Sequence, residues 1–194
     1  MALLSARGAT ALVTLVPVLA GMPAAASATA PTPSSRLIVP GRSIGGVAVG
    51  QTFTRAKALW GPGAECFGSP FPGPPGEPEP RSCTWVVGPD GNLGTASISG
   101  TTRDGVTAVD ISAALGPDGL AVTSPLRALR TARSIGLGSS GRAVRRAYPR
   151  ALRKVITGFA YPYVDYVLRG PGNTKTTFEV RGPAQRVAVI RLGY

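Results

Sequence analysis

Histidine is absent from all 194 residues. That absence excludes Ser-His-Asp and Cys-His nucleophilic chemistry, together with every metal site built on imidazole. Cysteine is nearly as scarce. The chain has two, Cys66 and Cys83, and their spacing is not the C-x-x-C of a reactive thiol pair. Aromatic residues make up 6% of the sequence, which leaves little for stacking on the bases of single strands. Carboxylates are few: nine Asp and Glu against 21 Lys and Arg. Seven of the acids, Glu65, Glu77, Glu79, Asp90, Asp104, Asp110 and Asp118, are scattered over turns and a Pro-rich stretch. They form no evident pair for acid–base hydrolysis. Beyond the first thirty residues no apolar run approaches the roughly 20 residues of a membrane span. The expectation is a non-enzymatic chain with no cofactor, no nucleotide and no transmembrane segment in its mature form.

What is present begins with the three parts of a secretory signal peptide. Arg7 supplies the charged start, an apolar stretch follows, and Pro23-Ala-Ala-Ala-Ser-Ala28 forms the small-residue tail. The A-x-A rule places cleavage after Ala28, so residues 1–28 read as the signal peptide and 29–36 as a flexible leader. The expected location is secreted or extracellular, with association at the cell wall as a further option. In an exported chain Cys66 and Cys83 are expected to form a disulfide, which in the chain-entropy model is worth roughly 3 kcal/mol.

Charge is divided unevenly. Residues 29–125 hold six basic and seven acidic side chains, whereas residues 126–194 hold fourteen basic ones against Asp165 and Glu179 alone. Arg codon bias in a GC-rich genome is the alternative to a functional source for that excess.

An internal repeat organises the chain. Val47-Ala-Val-Gly-Gln-Thr-Phe-Thr-Arg-Ala-Lys-Ala-Leu-Trp-Gly61 aligns without a gap on Ile135-Gly-Leu-Gly-Ser-Ser-Gly-Arg-Ala-Val-Arg-Arg-Ala-Tyr-Pro149. In each copy a Thr or Ser N-cap, Thr52 or Ser140, precedes apolar residues spaced on one helix face, and Gly61 or Pro149 stops the helix. Strand-like segments follow, with turns at Pro89-Asp-Gly-Asn92 and Gly170-Pro-Gly-Asn173. The expected fold is therefore α+β: two tandem degenerate repeats, each a short helix followed by an antiparallel three-stranded meander. The first unit covers residues 37–115 with a Pro/Gly loop tied by the cysteines. A linker spans 116–125, and the second, strongly basic unit covers 126–194.

These residues resemble the β-lactamase inhibitor protein family and, more distantly, the small outer-membrane lipoproteins of the SmpA/OmlA type. The resemblance rests on Val47-Ala-Val-Gly-Gln-Thr-Phe-Thr-Arg-Ala, on the looser Leu137-Gly-Ser-Ser-Gly-Arg-Ala-Val, and on the place of Cys66 and Cys83 after the first helix. It implies a secreted tandem-repeat inhibitor that meets its protein partner through a sheet face and a hairpin turn. Asp90 and Trp85 are the candidate partner contacts on that reading. Turn chemistry alone also accounts for Asp90. The second unit lacks the cysteines, and the chain lacks the many aromatics, that the family implies.

Two further motifs bear on function. Gly136-Leu-Gly-Ser-Ser-Gly141 fits G-x-G-x-x-G, but no acid follows at the spacing a dinucleotide fold needs, so the glycines are assigned to the turn before the helix. Arg142, Arg145, Arg146, Arg150, Arg153 and Lys154 lie on or just after the second helix. They are the candidate contacts for polyanions such as anionic wall polymers or lipid headgroups; a solvated helix face is the plainer alternative. The partner is thus either a protein or an anionic envelope polymer.

Overall fold

The computed structural model describes residues 30–68, 77–88, 92–114, 124–157 and 162–194. The signal-peptide segment, most of the 116–125 linker, much of the Pro/Gly loop and Asp90 therefore lie outside the described residues.

The described residues are mostly β, with 46% of them in strands. Among the described residues are two helices, α1 (Phe53–Trp60) and α2 (Gly141–Ala147), and twelve strands in two sheets. The smaller sheet has the order β3-β2-β1-β8, built from β1 (Leu37–Val39), β2 (Ser43–Ile44), β3 (Val47–Ala48) and β8 (Arg130–Thr131). The larger sheet is antiparallel throughout, in the order β4-β5-β6-β7-β12-β11-β10-β9. Its strands are β4 (Glu65–Gly68), β5 (Pro80–Val87), β6 (Gly94–Thr101), β7 (Gly105–Ser112), β9 (Leu152–Ile156), β10 (Tyr163–Arg169), β11 (Lys175–Arg181) and β12 (Arg186–Gly193).

The expected α+β pair of helix-plus-three-strand repeats is corrected here. Each helix is followed by four strands of the large sheet, and the strands β7 and β12 pair with each other, Asp110 opposite Arg191 and Ser112 opposite Val189. The result is one continuous eight-stranded sheet beside a second sheet. Three features hid this from the sequence. β4 falls where a loop was expected and is joined to β5 by the Cys66–Cys83 disulfide. β9 has no inside–outside alternation, four of its five residues being exposed. The strands β1, β2 and β3 are two or three residues each, too short to carry a period.

The helices form for reasons written in their ends. The Thr52 hydroxyl accepts the Arg55 N–H at 3.3 Å, and the Ser140 hydroxyl accepts the Ala143 N–H at 3.1 Å. Each bond satisfies one of the donors that a helix start leaves free. Gly61 ends α1 at φ 83°, a conformation that costs glycine little. α1 buries Phe53, Ala56 and Trp60, while α2 buries Gly141 and Val144.

Alternation along the strands then selects the face these helices cover. Cys83, Trp85, Val87, Ala96, Ile98, Val109, Ile111, Phe178, Ile190 and Leu192 are buried in a single hydrophobic cluster with Trp60, Leu137 and Val144. Trp60 and Trp85 meet edge to face at 5.1 Å between ring centroids. Their indole N–H groups donate to Ile44 O and Gly61 O at 3.3 and 3.2 Å, so neither buried ring leaves an unpaired donor. The small sheet reaches the far hairpin through Gly41, whose N–H donates to Thr176 Oγ1 at 2.7 Å.

Candidate functional site

The six candidate cations fall on one continuous stretch. On α2 the buried side is Gly141 and Val144, and the arginines take the other side. Arg142, Arg145 and Arg146 are exposed and together line a surface hollow of about 340 Å³. Arg150 follows in the turn after α2, and Arg153 and Lys154 stand on β9, all three exposed. Among the described residues the two ion pairs are Arg181–Glu179 and Arg191–Asp110, so none of the six has a carboxylate within ion-pair distance. Arg133 behaves differently. It donates to Ala147 O at the end of α2 and lies over the Tyr148 ring at 5.4 Å, a helix-capping role. Tyr148 in turn stacks on Phe178 of β11, ring centroids 5.8 Å apart, which seats α2 on the second half of the sheet.

The uncovered face of the large sheet carries a second arrangement, which the sequence reading missed. Ladder registers place Thr84, Ser97, Asp110, Arg191 and Thr177 in one row across five strands. Asp110 Oδ1 accepts Arg191 Nε–H at 2.5 Å, an ion pair between residues 81 positions apart in sequence. Beside this row Asp165 stands directly opposite Glu179 on one side and Lys154 on the other. Glu179 is 4% exposed and accepts from Arg181. Partial burial raises the pKa of Asp110, against the pull of its bond to Arg191. Burial also raises that of Asp165, with repulsion from Glu179 adding to it. Sequence distance explains why this cluster escaped notice: strand pairing alone brings residue 110 to residue 191.

The remaining candidates separate. Trp85 is wholly buried, so its ring packs the core and offers no surface to a partner. Asp90 lies outside the described residues. Cys66 and Cys83 form the expected disulfide, with 4.0 Å between their Cα atoms. That bond is compatible with an extracellular location. Of the G-x-G-x-x-G glycines, Gly136 and Gly138 sit in the turn before α2 and Gly141 opens the helix. Gly138, at φ 80°, donates to Val187 O, and Ser139 Oγ accepts the Gly136 N–H at 3.1 Å. Among the described residues no His, Cys, Asp and Glu group has metal-binding geometry, and no helix is long and apolar enough to cross a membrane. In comparisons with known protein families, curated proteins and solved structures, the chain matches none.

Proposed function

We propose that this chain is a secreted, non-enzymatic binding module that recognises a protein partner. One observation carries the reading. An eight-stranded sheet is closed on one face by helices and core, while no described helix or strand covers its other face, which carries cross-strand rows of Ser, Thr and paired charge. A broad, rigid, polar sheet face with an internally satisfied ion pair at its centre suits shape-matched contact. The disulfide supports an oxidising destination, and the signal-peptide pattern of residues 1–28 supports export.

A second reading has its own support. Arg142, Arg145 and Arg146 share one hollow and have no carboxylate partner among the described residues, an arrangement that favours an anionic envelope polymer or lipid headgroup.

Salt separates the two. Purified mature protein is used to recover partners from the native envelope, with washes at rising ionic strength. A discrete protein retained at about 0.5 M salt, and lost in a Ser97→Arg variant that crowds the open face, supports protein recognition. Binding to crude wall or anionic vesicles that washes off, and that fails in an R142A/R145A/R146A variant, overturns it for the polyanion reading.

A further inference from the structure

We propose that β9 is a strand-addition site for an extended acidic segment of a partner protein. The inference deepens the protein-recognition reading and rests on it.

β9 is the last strand of the eight-stranded sheet, and no described strand pairs with its outer edge. Its inner edge is fully engaged, residue by residue from Leu152 to Ile156, with β10. The outer edge therefore presents backbone donors and acceptors to any chain that can lie alongside it.

Side chains on that edge are mixed in a particular way. Leu152 and Val155 are each 51% exposed, although both are large and apolar. Arg153 and Lys154 lie between them and are exposed too. Register divides the strand by face. Arg153 and Val155 are opposite the buried Tyr166 and Val164, and so share the helix side of the sheet. Leu152, Lys154 and Ile156 share the open side. Each face of the edge thus offers one cation beside at least one apolar surface.

Charge selects the occupant. Arg and Lys on an edge strand deter pairing with a second copy of the same strand, because like charges would stand opposite one another. The same cations favour an acidic strand, and Arg150 just before β9 extends the preference. Deterrence alone does not explain Leu152 and Val155, since a purely protective edge gains nothing from exposed apolar side chains. An added strand would cover them. An antiparallel partner therefore reads apolar-apolar-acid-acid-apolar against Ile156, Val155, Lys154, Arg153 and Leu152 in turn.

The test uses the full mature protein and a synthetic peptide with a Val-Val-Glu-Glu-Val core. A control peptide replaces both Glu with Lys. The expected result is binding of the acidic peptide with slowed amide exchange confined to β9. An R153E/K154E variant should bind the acidic peptide at least about tenfold more weakly and should now accept the Lys peptide, because two opposed pairs change from attraction to repulsion. That exchange of preference also shows that the variant is folded. Three outcomes overturn the proposal. One is no peptide binding while an open-face partner is still recovered, which leaves the protein-recognition reading standing. Another is equal binding of polyphosphate and acidic peptide with no protection of β9 amides, which assigns the edge cations to polyanions. The third is protection of β9 in the free protein together with a dimer in sedimentation, as would arise if the β4 edge of a second copy, with its Glu65 and exposed Phe67, occupied the site.

Discussion

Asp165 shows how a single residue here works against the fold at neutral pH. Burial and the facing Glu179 raise its pKa above the ordinary 3.8, so the folded protein holds this proton where the unfolded chain has released it. Stability from the protonated form is complete below 3.8 and is lost as pH rises through the folded value. An Asp165→Asn substitution is therefore expected to raise the thermal midpoint at pH 7, with the advantage vanishing below the ordinary carboxylate range. Melting curves of both forms across pH check this; a lower midpoint at pH 7 would show that attraction to Arg191 and Lys154 outweighs burial. The cysteines act in the other direction. Their bond spans 17 positions, and reduction is expected to cost roughly 3 kcal/mol by freeing the unfolded chain. Chemical denaturation with and without reductant measures it. The pairing of the cysteines was legible in the sequence, because the expectation of export favours paired thiols; the facing of Asp165 and Glu179 was not, because it depends on register.

Helix α2 and strand β9 carry five of the six candidate cations and the proposed strand-addition edge. α2 has seven residues, too few to hold itself as a helix in isolation. Its ends and its contact with the sheet keep it in place. A Ser140→Ala substitution removes the acceptor for the Ala143 N–H and is expected to destabilise the protein by about 1 kcal/mol. Hydrogen exchange should show the loss first at the amides of α2 and its flanking turn. Should α2 exchange unchanged, the Tyr148–Phe178 stack and the buried Val144 hold the helix without its cap. The helix was readable from Ser140, Val144 and Tyr148, since local spacing sets it. β9 was not: its exposed run has neither alternation nor an apolar stretch, and its strand state comes from pairing with β10.

Across the whole molecule the β7–β12 ladder decides how the two halves behave. It joins a mid-chain strand, β7, to the last strand, β12, and one hydrophobic cluster runs beneath both. Cutting at that seam would expose the apolar side of β12, where Val187, Ile190 and Leu192 are buried. Heating is expected to give one cooperative transition, with the calorimetric and van't Hoff enthalpies equal. A fragment covering 124–194 is expected to stay unfolded by circular dichroism. Two resolved transitions, or a folded fragment, would show that the ladder adds little coupling.

Residues 52–61 and 140–149 show how far local chemistry reaches. Caps, apolar spacing and stop residues act within a few positions, so the two helices, the paired cysteines and the basic second half were determined by the sequence itself. The eight-stranded order, the burial of Trp85, the meeting of Asp110 with Arg191 and the exposure of the β9 edge were decided by tertiary structure alone. Each depends on which strands lie side by side, and backbone pairing between distant segments leaves no mark in the local pattern of either one.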